Sequence, residues 1–198
     1  MKWTDQGGGK EFAQAPAGTH EAICIGVIDL GTQTGSYQGQ PTVKRQVLIQ
    51  WELPNETMED GKPFIVSKFY TASLNEKATL RHDLESWRGR AFTEQELLGF
   101  ESKNILGKPC LLSVIHNEAG KARVASVMAI PKGMTLPKQA NPTTHFSLDS
   151  FDVAVFDKIG KGLQDMIRKS PEFQSIGKKG DHFADMPDDI PEEAAEPF

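Results

Sequence analysis

Hydrophobic positions in this chain follow the two-residue period of strands over most of residues 20–130, and the helical period in one place. From Thr42 to Leu53 the alternation is clean: Val43, Val47, Ile49 and Trp51 share one face, and Lys44, Gln46 and Gln50 the other. His20 to Leu30 carries a nearly unbroken apolar run, Ala22 to Ile28, as in a strand buried on both faces or closed into a barrel. Phe64 to Thr71 is β-branched or aromatic around Lys68, which fits a half-buried strand. Lys108 to His116 and Lys121 to Ile130 read as two further strands joined by a hairpin loop, Asn117-Glu118-Ala119-Gly120.

Between the third and fourth strands the period changes. Leu80, Leu84 and Trp87 form the stripe of an amphipathic helix, with Ser73 and Glu76 in capping-box register ahead of it. Arg88 complements the negative end of the helix dipole, and Gly89 is placed to close the helix in a left-handed conformation. Phe92 to Gly107 reads as an irregular connection with one capped helical turn at Thr93–Glu96. Gly31 to Pro41 reads as a flexible polar loop carrying Tyr37, and Pro54 to Pro63 as a turn.

Strand, strand, strand, helix, strand, strand is the element order of an OB-fold, a five-stranded barrel whose face and loops bind oligonucleotides or oligosaccharides. The expected fold is therefore mainly β: an OB barrel over residues 20–131 behind a flexible, loosely held N-terminal arm, 1–19, with Trp3 and Phe12 as candidates for docking. Residues 132–174 read as a linker and short helices built on Phe156, Ile159, Leu163, Met166 and Ile167, with Ser170-Pro171 as the stop. These helices either cover the barrel or build a subunit contact. From Ser175 to Phe198 nothing supplies a core, and an acidic disordered tail is expected.

Charge refines this picture. The net charge is −5, yet seven of the 27 acids lie in residues 181–198, which contain no Lys or Arg. Residues 1–180 then hold 20 acids against 22 basic residues, a mildly basic body with a strongly acidic end. No apolar run is long enough to cross a bilayer and no leader pattern opens the chain, so a soluble, cytoplasmic protein is expected. Cys24 and Cys110 sit in apolar strand runs and read as buried filler in a reducing compartment.

Single-strand binders need a cationic groove and aromatic planes for bases to stack on. Lys44, Arg45, Trp51, Lys68, Phe69 and Tyr70 supply both on neighbouring strands, the last hairpin adds Lys121 and Arg123, and the loop adds Tyr37. One ring of the Phe69-Tyr70 pair must point away from the other. Arg81, Arg88 and Arg90 read as structural, since Arg81 has Glu85 four residues on. The acidic end, with Asp188-Asp189-Ile190-Pro191 and Pro197-Phe198, suits a peptide ligand whose ring fills a pocket ringed by basic residues. No metal-ligand spacing, phosphate-cradling glycine loop or partnered catalytic carboxylate stands out, and neither a cofactor nor an enzyme activity is expected.

That end resembles the acidic tips of bacterial and phage single-stranded-DNA-binding proteins, although here Glu192 to Glu196 separate the two parts of the motif. KFYTASLNEKATLRHDLESWRGRAF and ILGKPCLLSVIHNEAGKARVASV resemble a family of phage-encoded proteins of this kind. The resemblance implies an OB core, ssDNA binding without sequence preference in a bacterial cytoplasm, and recruitment of replication or recombination proteins by the tail. The competing expectation is a protein-interaction module, or a DNA mimic directed at a host nuclease or polymerase.

Overall fold

The computed structural model describes residues 13–134 and 138–181, without the side chains of Tyr37 and of residues 177–181. The N-terminal docking candidates Trp3 and Phe12, and the tail residues Asp188, Asp189, Ile190, Pro191, Pro197 and Phe198, lie outside the described residues. The chain is mainly β. Its strands are β1 (Gly18–Tyr37), β2 (Gln40–Thr57), β3 (Pro63–Thr71), β4 (Pro109–His116), β5 (Ala122–Met128) and β6 (Thr144–Phe146). Helix α1 (Thr79–Arg88) follows β3, and α2 (Glu94–Leu98) and a 3-10 turn (Ser102–Ile105) precede β4. Helices α3 (Val153–Phe156), α4 (Lys161–Arg168) and α5 (Pro171–Asp181) follow β6.

The sheet runs β3-β2-β1-β4-β5, antiparallel throughout, with β6 added parallel to β1. Among the described residues there are six strands rather than five, because Thr144–Phe146, expected as the end of a linker and the start of a helical segment, pairs with Gly26–Ile28. Among the described residues no ladder closes the sheet: β3 and β5 approach each other without pairing, and α1 packs against both along the seam. Ala129 at the end of β5 donates its N–H to the Ser86 carbonyl of α1 (3.1 Å), and the Trp87 indole donates to the Pro109 carbonyl (2.7 Å).

Two cores share β1. On the inner face Val47, Ile49, Trp51 and Leu53 of β2 meet Val27, Leu112, Val127 and the α1 stripe of Leu84 and Trp87. On the outer face Ile28, Leu30 and Leu48 are covered by Phe146, Phe156 and Ile167 from β6, α3 and α4. Burial on both faces explains the unbroken apolar run of β1. Bulges between Cys24 and Gly26 and between Asp29 and Gly31 shift its register against β2.

Several expected boundaries move. Gly31–Pro41 is not a loop: β1 and β2 continue as a two-stranded arm to the pair Tyr37–Gln40, closed by Gln38 and Gly39 at φ 49° and 77°. Two successive positive φ values are those of a type I′ turn, whose twist suits a hairpin. The arm reaches beyond both cores, so its alternation carries no hydrophobic signal. The Ser73–Glu76 capping box does not form: Ser73 Oγ accepts from the Asn75 N–H, and α1 starts only at Thr79 after an uncapped Ala78. The box at Thr93–Glu96 does form, and Gly89 closes α1 at φ 67°.

Ser170-Pro171 starts a helix rather than ending the segment. Ser170 Oγ accepts from the Phe173 N–H while donating to the Ile167 carbonyl, and Pro171 occupies the first helical position, where its missing N–H costs nothing. Phe173 and Ile176 pack on the outer core, so ordered structure runs past Ser175, where disorder was expected, to Asp181. Gly31, at φ 69°, lies against this corner, and a Cβ there would come within 2.5 Å of Ser170.

Candidate nucleic-acid interface

Along β3 the burial alternates so that Val66 and Tyr70 face the inner core while Ile65 and Phe69 face out. Tyr70 is 4% exposed and Phe69 46%, which decides the orientation of the adjacent rings. Phe69 pairs with Leu48 of β2, whose outer side lies under the C-terminal segment, and stands at the margin of that cover. Ile65, two steps along the same face, is also exposed.

Four of the expected contact residues are taken up inside the molecule. Trp51 is fully buried, 6.1 Å from the Trp87 ring, and cannot stack on a base; its place on the Val47–Ile49 face puts it in the core. Its indole N–H has no acceptor among the described residues. Tyr70 donates its hydroxyl to Asp83 of α1 (2.7 Å), and the Lys68 ammonium donates to the same carboxylate oxygen (2.7 Å) while lying 5.2 Å from the Tyr70 ring. Burial, reinforced by the Asp83 charge, pushes the Tyr70 phenol far above its ordinary range. Lys68, Tyr70 and Asp83 therefore clamp α1 onto β3 and leave no charge or ring for a nucleotide.

Arg45 is the fourth. Its guanidinium donates through Nε and Nη2 to Asp29 and through Nη2 to Asp149 (3.0 Å). Burial would raise the Asp29 carboxyl, but Arg45 and the N–H groups of Gly31 and Leu148 outweigh it and hold the group below its usual range. Arg45 is correspondingly raised, chiefly by the Asp29 hydrogen bond. Arg45, Asp29 and Asp149 rim a cleft of about 250 Å³ with apolar walls that include Val47, Leu80 and Phe100. With two carboxylates to one guanidinium, that rim repels a phosphate.

Three of the remaining candidates stay available. Lys44, Lys121 and Arg123 are exposed and make no salt bridge among the described residues. Lys44 shares the outer face of β2 with Leu48, two alternations from Phe69's partner. Lys121 and Arg123 stand at the β4–β5 hairpin, which Asn117 fixes by accepting from the Ala119 and Lys121 N–H groups. Tyr37 lies at the tip of the β1–β2 arm. The candidate surface is thus Phe69 and Ile65 with cations at the two hairpins.

One arrangement sequence reasoning missed is the anchoring of residues 140–141. Glu52 is fully buried on the outer face, where its carboxylate accepts from the Ala140 N–H (2.7 Å) and the Asn141 N–H and side-chain amide (both 2.8 Å). A lone acid at a face position of β2 was the available signal. Arg81 pairs with Glu85, and Arg88 and Arg90 with Glu96, as structural partners. Cys24 and Cys110 are free and buried, and burial pushes the Cys24 thiol up to about 12, so neither is poised as a nucleophile. Among the described residues no cluster of three or more His, Cys, Asp or Glu could hold a metal, and no helix is long and apolar enough to cross a membrane. Comparison with family models, curated proteins and solved structures gives no match for this chain.

Proposed function

We propose that the protein binds single-stranded DNA without sequence preference through an OB-type body and recruits replication or recombination proteins through its acidic end. Support comes first from connectivity. A central β1 between β2 and β4, edge strands β3 and β5 brought side by side, and a helix inserted between β3 and β4 fit the OB plan with its last seam unpaired. The observation that carries the reading is Phe69: a large ring held out on a strand, beside an apolar neighbour, with uncompensated Lys44 on the next strand. A base stacked on such a ring gains about 1–3 kcal/mol, and backbone phosphates would meet Lys44, Lys121 and Arg123. Residues Asp188 to Phe198 supply the partner ligand, an acidic sequence carrying Ile190, Pro191 and a terminal ring.

Fluorescence titration with oligo-dT and with a duplex, on the full chain and on a chain lacking residues 182–198, tests this. Tight oligo-dT binding by both, weaker for duplex and falling with salt, is the expected result. Equal binding of oligo-dT and duplex at moderate salt would refute the proposal. The exposed Ile65–Phe69 strip also suits a protein partner, and absence of ssDNA affinity in both forms would favour that reading instead.

A further inference from the structure

A second cleft, of about 350 Å³, opens between the last turn of α1, the 3-10 turn and the start of β4. Its charge is opposite in character to the Asp29–Arg45–Asp149 rim. Arg88 and Lys108 line it together with Asn104, and no Asp or Glu does. Arg88 stacks on Phe92, 4.2 Å from the ring, and gives Nη2 to Glu96, but its Nη1 is buried with no acceptor among the described residues. Lys108 is exposed and makes no salt bridge among them. Glu96 also takes Arg90, outside the lining, so two cations and no acid line the cleft itself. The walls include Trp87, whose indole is fixed by the Pro109 carbonyl, and Phe100.

We propose that this cleft is a binding site for one nucleoside monophosphate, with the phosphate on Arg88, Lys108 and Asn104 and the base against Trp87 and Phe100. A guanidinium on α1, an amide on the 3-10 turn and an ammonium before β4 line one cleft, and a guanidinium with an ammonium suits a phosphate. A phosphomonoester carries about −1.5 to −2 charges at neutral pH, which suits the two lining cations, Arg88 and Lys108. The volume lies at the small end of the roughly 300–1,000 Å³ usual for ligand pockets, enough for a single nucleotide and too little for a strand. The site stands apart from the Phe69 surface and does not depend on it.

Calorimetric titration of the full chain with dTMP, thymidine, inorganic phosphate and a short peptide of Glu and Phe decides the matter. The expected result is saturable dTMP binding, with thymidine and inorganic phosphate each at least ten-fold weaker. Lys108→Ala and Asn104→Ala, both at exposed positions, should each weaken dTMP several-fold without changing the melting temperature. Phe69→Ala should leave dTMP binding unchanged. Arg88→Gln should abolish binding, and a melting curve would show whether that variant remains folded. The proposal is overturned if dTMP fails to bind, if it binds equally to Lys108→Ala, if inorganic phosphate binds as tightly as dTMP, if Phe69→Ala removes dTMP binding, or if only the peptide binds.

Discussion

Asp83 receives both the Lys68 ammonium and the Tyr70 hydroxyl, and these side chains are only partly exposed. Removing the carboxylate strands two donors, so Asp83→Ala should destabilise the protein by about 2–4 kcal/mol in denaturant titration. Phe69→Ala should behave in the opposite way. It should weaken oligo-dT binding about ten-fold while leaving the unfolding midpoint nearly unchanged, because the ring it removes is half exposed. A midpoint shift as large as that of Asp83→Ala would assign Phe69 to the core. The parity of β3 was legible in the sequence: one of two adjacent rings had to face out. Which one did so was not, because Tyr70 is turned inward by a partner thirteen residues away on another element. Lys68 and Arg45 looked cationic for the same reason, their partners Asp83, Asp29 and Asp149 being distant in sequence.

Between elements the decisive contacts are corners. At the β1–α5 corner Thr32 donates its N–H and hydroxyl to Glu172 (2.9 and 2.5 Å), and Gly31 leaves no room for a side chain beside Ser170. Gly31→Ala combines a strained positive φ with overpacking and should cost about 2–3 kcal/mol, with early loss of hydrogen-exchange protection in α5. At the α1–α2 corner Glu96 joins Arg88, Arg90 and the Thr93 N–H, and the Arg90 hydrogen bond above all holds its carboxyl down to about 2. A depressed carboxylate stabilises the fold above its unfolded pKa and loses that contribution as pH falls towards the folded value. Amide exchange around Arg88–Glu96 should therefore rise between about pH 4.5 and 2, and Glu96→Gln should reduce that pH dependence to the part left by Glu85, whose carboxyl is held low by the Phe92 N–H. The Thr93 box was readable because its signal is local. The β1–β2 arm was not, because both its faces are polar and a loop has the same composition.

Over the whole molecule, the expected contact cations left without a salt bridge among the described residues, Lys44, Lys121 and Arg123, lie at the two hairpins rather than along the sheet. Each phosphate contact with single-stranded nucleic acid contributes about 0.7 to the slope of log affinity against log salt. Replacing Lys44, Lys121 and Arg123 together by Ala should lower that slope by about 2, and an unchanged slope would place the phosphates elsewhere. The element order up to β5 was legible because each strand carries its own period. The outer core was not, because residues 144–181 acquire their meaning only from the face of β1 and β2 they cover.

The twenty-residue β1 is the common wall of both hydrophobic compartments. Melting of either compartment uncovers one face of that wall and weakens the ladders that the other is built on, so the described residues should denature in one cooperative step. A calorimeter should record a single peak whose van't Hoff and integrated enthalpies agree. Clipping the chain between Phe146 and Pro171 would then loosen the ladder of β1 with β2 as well as freeing the helices.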